Sequence, residues 1–346
     1  MESITIKDVA RLCGVGVSTV SRAINNHPDI NPETKEMIMQ VIKEHNYVPN
    51  NSARNLKRSE ARAIAVLIKG ISNPFFSKMI KVFEEEIQKK KYSFVLQHVD
   101  DRQDEIDVAI QLEKEKRLNG IVFLGGFFSH SEEKLKQLSV PFVLSTIGLL
   151  GDINKQKYSS VSVDDVKESF RMTEYLIQNG HRKIALFSSC EDDESIGRLR
   201  LEGYQRALAR YGIPLDPELI RPMKPDMESY SMANGYQLMK ELLESGKEFT
   251  AAYAIADSMA LGACRAIADA GKRVPEDYSV AGFDGLEMGR YYIPALTSIR
   301  QPVEEMAEAT IRILFDLIKK KTAGEHRVFE GQLITGESVR RLREKE

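Results

Sequence analysis

A short segment near the start of the chain presents side chains that could contact nucleic acid. Val17, Ser18 and Arg22 share the exposed side of the helix predicted by the stretch VGVSTVSRAIN. In the major groove of DNA, an arginine can donate two hydrogen bonds to guanine, a serine can bond many base edges, and a valine can touch the thymine methyl group. We therefore expect Val17, Ser18 and Arg22 to read base edges.

The same helix carries polar groups that suit the DNA backbone. Thr19, Ser21 and Asn25 are better placed to donate hydrogen bonds to phosphate oxygens than to reach the bases. Such contacts fix the register of a protein on the duplex without reading its sequence. Local positive charge comes from Arg22, Arg54, Lys57 and Arg58, so we expect binding to weaken steeply as the salt concentration rises.

Neighbouring helices must hold this helix in position. Gly14 stands where the chain must leave a first helix, and Asn31 with Pro32 can begin a third one. The three segments share apolar positions at helical spacing: Ile6, Val9, Ala10, Cys13, Val20, Ala23, Ile24, Ile38, Val41, Ile42 and Tyr47. This pattern predicts a helix-turn-helix with a supporting third helix. The alternative is a small helical bundle without a ligand.

A polar, basic segment, NNSARNLKRSE, follows these helices. Asn50 can cap a short helix that carries Arg54 and, as its large apolar residue, Leu56. So short a helix is unstable alone in water, and we expect it to fold on DNA. Leu56 could then insert between base steps of the minor groove and bend the duplex. The alternative is an ordinary flexible linker.

The stretch DVARLCGVGVSTVSRAIN, the sequence NYVPN and the linker leucine resemble the LacI/GalR family of bacterial transcription regulators. Further landmarks extend this resemblance along the chain: SNPFF, NGIVFLGG, NGHRKIALF, RLRLEGYQRAL, ADSMALGACRAIADAG, VPEDYSVAGFDG and PALTSIRQP. The resemblance implies a homodimer that binds double-stranded operator DNA, with paired hinge helices in the minor groove. It also implies a core that binds a small effector.

From Ala63 onward, apolar runs alternate with amphipathic segments, which is typical of parallel sheets flanked by helices. With the resemblance, this predicts an all-α helix-turn-helix headpiece and an α/β core of two Rossmann-like lobes, similar to periplasmic binding proteins. We expect a DNA-binding domain over 1–49, a hinge over 50–61 and an effector-binding and dimerisation core over 62–346. In the core, lobe one should cover 63–161 with 293–321, and lobe two 162–292 with 322–346.

The composition provides no global attraction to nucleic acid, because the formal net charge is only -2. Cys13, Cys190 and Cys264 lie far apart, without the spacing of a zinc site or a disulfide framework, as suits a reducing cytoplasm. The sequence shows neither a signal-peptide core nor an apolar run long enough to span a bilayer. We therefore expect a cytoplasmic protein without membrane contact, which disfavours an exported sugar-binding protein.

The core lacks a recognisable catalytic arrangement. Its histidines have no metal-ligand spacing, and neither a G-x-S-x-G motif nor a phosphate-cradling Gly-Lys-Ser/Thr motif occurs. We expect no enzyme activity, no metal and no cofactor.

The resemblance implies an effector in the cleft between the lobes, at the carboxyl ends of strands. The positions that match the family's effector contacts are Asn73, Phe75, Phe76, Thr146, Arg200, Tyr230, Asp284 and Gln301. An arginine fork suits polyol oxygens or a carboxylate, and aromatic faces can pack against a sugar ring. Alternatively, Phe75 and Phe76 only pack the lobe, and Arg200 forms a surface ion pair with Glu202 or a neighbouring residue of its helix.

Two departures from the family pattern bear on the effector. Thr146 stands where many sugar-binding members carry an acid, and Ala256 stands where they carry asparagine. A neutral monosaccharide bound in the usual way is thereby disfavoured. The two departures do not disfavour an oligosaccharide. They also do not disfavour an acidic or phosphorylated compound, which Lys69 and Arg200 would attract. We expect the effector to be a sugar, a sugar acid or a sugar phosphate.

We interpret the chain as a sequence-specific DNA-binding transcription regulator, a repressor of genes for carbohydrate uptake or use. No leucine heptad follows GESVRRLREKE, so we expect a homodimer on a pseudo-palindromic operator. Two alternatives stay open. One is a sugar-binding module without a DNA role. The other is a regulator of the catabolite-control type, suggested by NGIVFLGG and VPFVLST, with a phosphorylated carrier protein as co-regulator.

Overall fold

The chain forms two compact units, Met1–Ala61 and Arg62–Glu346. The computed structural model describes residues 5–24, 27–45, 47, 62–100, 103–126, 132–147, 154–189, 196–320 and 324–342. The described part of the first unit consists of helices, and the second unit contains two mainly parallel sheets flanked by helices. The expected fold class is therefore confirmed.

Three helices form the described part of the first unit: α1 (Ile6–Leu12), α2 (Val17–Ile24) and α3 (Pro32–Glu44). At the start of α1, the Thr5 hydroxyl accepts a hydrogen bond from the Asp8 amide, and the Asp8 carboxylate accepts one from the Thr5 amide. At its end, Gly14 adopts a φ of 64°, and the Val15 amide donates to the Ala10 carbonyl over 3.0 Å. This glycine turn leads the chain into α2.

The third helix begins at the predicted cap and completes a small core. The Asn31 side chain accepts hydrogen bonds from the amides of Glu33 and Thr34, and Pro32 occupies the first turn. The buried apolar side chains are Val9, Ala10, Cys13, Val20, Ala23 and Ile38, with Ile6, Val15, Ile24, Ile30, Val41, Ile42 and Tyr47 packed around them. α3 thus supports the other two helices, as its apolar face predicted.

The first sheet of the second unit has six parallel strands in the order β11-β5-β4-β3-β1-β2. They are β1 (Ala63–Lys69), β2 (Ser93–Val99), β3 (Leu118–Leu124), β4 (Phe142–Ser145), β5 (Ser159–Val163) and β11 (His326–Phe329). The associated helices are α4 (Phe75–Lys89), α5 (Glu105–Glu115), α6 (Glu132–Leu135) and α12 (Val303–Lys320).

The second sheet has the strand order β12-β10-β9-β8-β6-β7, and β12 is antiparallel to β10. Its strands are β6 (Ile184–Ser188), β7 (Ile220–Pro222), β8 (Ala251–Ala254), β9 (Ser279–Asp284), β10 (Thr297–Arg300) and β12 (Gln332–Ile334). The helices of this part are α7 (Asp165–Gln178), α8 (Ile196–Arg210), α9 (Met232–Glu244), α10 (Asp257–Asp269) and α11 (Glu287–Tyr291).

The chain passes between the two sheets after β5, after β10 and after β11. This differs from the expected lobe boundaries at three points. β5 extends the first sheet to Val163, so the strand does not end at 161. β10, expected in lobe one with 293–321, pairs with β9 of the second sheet, and β11, expected in lobe two, pairs with β5 of the first. These strands are short, and their pairing is decided by distant partners that local sequence does not reveal.

A close contact between α7 and α8 positions two charged side chains of the second unit. A Cβ atom added at Gly203 of α8 would lie 2.3 Å from the carbonyl oxygen of Val166 in α7. Only glycine allows the two helices to approach this closely. The contact brings Arg200 of α8 beside Asp165, the first residue of α7.

Candidate functional site

The candidate DNA-contacting surface of the first unit is the side of α2 opposite its buried residues. Val20 and Ala23 are buried beneath it. Val17 is 42% exposed, and Ser18 and Arg22 are exposed as well. This is the arrangement that a helix inserted into a DNA groove requires, and contact of these side chains with bases stays a prediction.

The predicted phosphate contacts are only partly described. Thr19 and Ser21 are half-buried on α2, which leaves part of each side chain accessible. Asn25, Asn50, Arg54 and Leu56 lie outside the described residues. The hinge expected over 50–61 and its minor-groove wedge therefore remain predictions.

In the second unit, three predicted effector residues meet where the two sheets join. Asn73 lies between β1 and α4, Asp284 ends β9, and Gln301 follows β10. The Gln301 amide donates to one Asp284 oxygen over 2.9 Å, and the Asn73 amide donates to the other over 3.5 Å. Asp284 has a φ of 111°, a conformation that favours glycine. The cluster therefore links the two halves of the core through one buried carboxylate.

Arg200 belongs to the same cluster, but it is already engaged. Its Nε donates to Asp165 over 2.9 Å, its Nη1 donates to the carbonyl of Ile255, and its Nη1 lies 3.7 Å from Asp284. Its guanidinium carbon lies 3.6 Å from the centre of the Phe283 ring. Arg200 is thus a buried group held on several sides.

The alternative of a surface ion pair for Arg200 is wrong. Only 2% of Arg200 is exposed, and Glu202 pairs instead with Arg206 on the outer face of α8. Arg198, two residues before Arg200, is exposed. The helical period thus turns Arg200 inward and its neighbours outward.

Two further carboxylates, which the sequence did not single out as site residues, are buried in this part of the core. Asp165 pairs with Arg200, and Asp257 accepts hydrogen bonds from the Ser298 hydroxyl and the Leu286 amide, each over 2.6 Å. The signals available in the sequence were the position of Asp165 two residues after a strand and that of Asp257 at the start of a helix.

The pKa values of these carboxyl groups are raised by their burial. Burial raises the pKa of Asp257 well above its usual range, and the charge of Asp284 adds to the shift. Burial also raises the pKa of Asp284 to about 6, against the opposing effects of Arg200, Gln301 and Asn73. Burial raises the pKa of Asp165 in the same way, with Arg200 opposing. Two of these carboxyl groups, those of Asp165 and Asp284, lie beside the Arg200 guanidinium, and the charge of Asp284 acts on the third, Asp257.

Lys69 does not supply the free positive charge that we expected near the effector. It is 7% exposed, and its Nζ donates to Glu105 over 3.3 Å and to the carbonyl of Gln103 over 2.9 Å. Glu105 lies 36 positions away in the sequence, so the neutralising partner was not evident.

Phe75 and Phe76 lie in the core instead of on an open surface. They are 4% and 6% exposed, and their rings meet edge to face with centres 5.5 Å apart. The Phe76 ring also fills the space beside Gly125, where an added Cβ would lie 2.7 Å from it. The geometry fits lobe packing, and effector contact by these rings stays a prediction.

Thr146 and Tyr230 share an uncommon backbone conformation, with φ values of 67° and 56°. Thr146 follows β4, is 5% exposed, and its hydroxyl meets no hydrogen-bond partner among the described residues. Tyr230 is half-buried, and its carbonyl accepts a hydrogen bond from the Ser258 hydroxyl. A β-branched residue with positive φ is strained, so the protein maintains this conformation of Thr146 against a cost.

Within the described ranges, no group of three or more His, Cys, Asp or Glu side chains could hold a metal ion. Among these same residues, no helix combines the length and the apolar character needed to cross a bilayer.

Two family models match the sequence. Residues 5–50 match the model described as bacterial regulatory proteins, lacI family, and residues 173–339 match the periplasmic binding protein-like domain. The chain is 39% identical over 335 residues to the HTH-type transcriptional regulator MalR of Clostridium butyricum, covering 96% of this chain and 98% of that one. It is 30% identical over 321 residues to catabolite control protein A of Priestia megaterium, covering 92% and 94%.

A similar solved structure is that of the transcriptional regulator CelR in complex with cellobiose. The TM-score is 0.70 and the sequence identity 29%, over 97% of this chain and 99% of that chain. The similarity thus spans both units, including the helix-turn-helix and the core. The chain belongs to the lacI family of bacterial regulatory proteins and is a DNA-binding transcription regulator.

Proposed function

We propose that this regulator is a repressor that reads a pseudo-palindromic operator as a homodimer and responds to a neutral, hydroxyl-rich effector of the sugar class. In this proposal, Val17, Ser18 and Arg22 read bases, while Asp284, Gln301 and Arg200 contact the effector. The role is regulatory and not catalytic. Because operator DNA lies in the bacterial cytoplasm, we expect the protein to act there.

The observation that supports a neutral effector is the excess of buried carboxyl groups over buried positive charges. Two buried carboxyl groups, those of Asp165 and Asp284, lie beside a single buried cation, Arg200, and the carboxyl group of Asp257 is buried near Asp284. An ionised carboxylate accepts hydrogen bonds and has none to give, whereas each sugar hydroxyl both donates and accepts. A neutral polyol can therefore satisfy Asp284 and Arg200 together.

The same excess disfavours the anionic effectors that the sequence left open. A sugar acid or a sugar phosphate would bring negative charge beside the two buried carboxyl groups of Asp165 and Asp284, where like charges repel. Lys69 is neutralised by Glu105 and offers no compensation. The related CelR structure contains cellobiose, a neutral disaccharide, which supports the same choice.

A thermal-shift experiment on the full-length protein tests the proposal. We expect cellobiose, ribose or another neutral sugar to raise the unfolding temperature, and glucuronate and glucose 6-phosphate to have no effect. Asp284→Asn should reduce the response to the active sugar, whereas Glu276→Gln, a change at an exposed position, should retain it. Stabilisation by an anionic sugar alone would contradict the proposed class. A response only to a phosphorylated carrier protein would favour the catabolite-control type.

A further inference from the structure

The carboxyl group of Asp257 anchors the turn that follows Asp284. Asp257 is 1% exposed at the start of α10, and one of its oxygens accepts a hydrogen bond from the Leu286 amide over 2.6 Å. Its other oxygen accepts one from the Ser298 hydroxyl over 2.6 Å, and that hydroxyl accepts one from the Gly285 amide over 3.1 Å. Asp257 therefore holds the two amides that follow Asp284 in the chain, one directly and one through Ser298.

The backbone of this turn needs such support. Asp284 and Gly285 have φ values of 111° and 70°. For Asp284, which carries a Cβ atom, a positive φ is costly and persists only where the surrounding structure maintains it. Without the hydrogen bonds to the next two amides, Asp284 could return to a negative φ. Its side chain would then point in another direction, because rotation about the N–Cα bond also moves the Cα–Cβ bond.

The direction of the Asp284 side chain decides whether its contacts form. Its carboxyl oxygens accept hydrogen bonds from Gln301 over 2.9 Å and from Asn73 over 3.5 Å, and one of them lies 3.7 Å from the Arg200 guanidinium. These groups come from three different places in the chain, and hydrogen bonds weaken steeply when their geometry changes. Asp257 acts on this cluster from behind, since its own hydrogen bonds go to the turn and to Ser298.

We propose that Asp257 is a positioning residue of the effector site, which holds the turn after Asp284 and thereby aims the Asp284 carboxyl group at its partners and at an effector. This inference rests on the proposed function, because it assigns Asp284 to the effector. It adds a residue that determines the site without touching the ligand. What Asp257 supplies in this role is a pair of hydrogen-bond acceptors, and its negative charge is not required.

Two variants of the full-length protein, both without the Asp257 carboxylate, test the proposal in the absence of ligand. Asp257→Asn keeps an amide oxygen that can accept from the Leu286 amide. Its NH2 group can donate to Ser298, whose hydroxyl can turn to the Ile299 carbonyl 3.5 Å away. Asp257→Ala keeps no acceptor. Because both substitutions remove the same charge, the difference between them reports the hydrogen bonds alone.

The measured quantity is the part of the pH dependence of stability that belongs to Asp284. Burial raises the pKa of Asp284 to about 6, so the protein should lose stability relative to its D284N counterpart between pH 4 and 7. The wild type, D257N and D257A are each compared with the same protein carrying D284N, by urea midpoints across this range. Arg200 and Asp165, whose charges also act on Asp284, are the same in all of these proteins.

We expect the wild type and D257N to show the pH-dependent difference and D257A to lose it, because a displaced Asp284 titrates near its ordinary pKa. If Asp257 only stabilises the fold, D257A lowers the midpoint equally at every pH and keeps the difference, and the proposal is overturned. Loss of the difference in D257N, or its absence from the wild type, also contradicts the proposal.

Should D257A fail to fold, Asp257→Val takes its place, because it fills more of the space and still offers no acceptor. The expected loss of the pH-dependent difference is the same. No sugar is present in these measurements. A negative sugar screen therefore leaves the role of Asp257 testable, and a negative result for Asp257 leaves the sugar response untouched.

Discussion

The two regions proposed to recognise DNA and an effector are built in opposite ways. On α2, Val17, Ser18 and Arg22 project outward from a small apolar core. Between the two sheets, Arg200 and Asp284 are buried and bound to other protein groups. The surface proposed to read DNA is therefore exposed in the structure, whereas the residues proposed to contact the effector are bound to other protein groups. A site that changes partners on binding has the two states that a switch requires.

The same difference separates the conditions to which each region responds. Exposed charges on the helix are screened by salt, so DNA binding should depend steeply on ionic strength. The buried carboxyl groups are shielded from salt, but their raised pKa values make them responsive to pH. Salt should therefore act mainly on DNA binding by α2, and pH mainly on the buried carboxyl groups.

The largest effect should follow loss of the buried cation. Arg200→Met leaves Asp165 and Asp284 without their charged partner, and we expect a loss of about 3–5 kcal/mol in unfolding free energy. Urea denaturation at pH 7 measures it. Arg198→Met, at an exposed position of the same helix, should change the free energy by less than about 0.5 kcal/mol. Equal effects of the two substitutions would remove the contrast between the buried and exposed regions.

The next effect is a pH dependence that belongs to Asp284. Burial raises its pKa from near 4 to about 6, so the folded carboxyl binds its proton more tightly than the unfolded one. The stabilisation that this bound proton provides is complete below the pKa that Asp284 has in the unfolded chain. It is lost as the pH rises through about 6, the pKa of Asp284 in the folded protein. Relative to D284N, the wild type should lose about 2–3 kcal/mol of unfolding free energy between pH 4 and 7. Urea unfolding across this range measures the change, and parallel curves for the two proteins would contradict it.

A smaller and more specific effect is expected on α2. Arg22→Ala should weaken binding to the preferred operator by about 1–3 kcal/mol and leave binding to random DNA nearly unchanged. Titration of both DNAs at one salt concentration gives the comparison. Arg273→Ala, an exposed arginine of the second unit, is the control. An equal loss on random DNA would assign Arg22 to the phosphate backbone.

The smallest effect concerns the support of that helix. Asn31→Ala removes the side chain that accepts hydrogen bonds from Glu33 and Thr34 at the start of α3. We expect a local loss of about 1 kcal/mol, visible as faster hydrogen exchange of amides in the first turn of α3. Gln40→Ala, an exposed position farther along the helix, should leave those amides unchanged. Unchanged exchange in N31A would show that tertiary packing alone holds this end.

The first unit could be predicted closely because its determinants are local. Gly14 marks the end of α1, Asn31 and Pro32 mark the start of α3, and apolar spacing identifies the buried faces. Each of these signals acts within a few residues of the place where it is read. Exposure of the reading face follows directly from burial of the opposite one.

The buried site could be predicted only in part because its determinants are distant. Arg200, Asp284 and Gln301 meet as the family pattern implied, but Arg200 is bonded to Asp165, and Lys69 to Glu105, through pairings that no local pattern contains. Charge balance in a core emerges only once the helices are packed.

Selection from a large pool of random duplex oligonucleotides tests most directly whether the exposed face of α2 reads DNA. Full-length wild-type protein and R22A are compared at moderate ionic strength. We predict that the wild type enriches a pseudo-palindromic motif, and that R22A loses preference at one base pair in each half-site. Absence of any enriched motif, or the same motif for both proteins, would contradict the assignment.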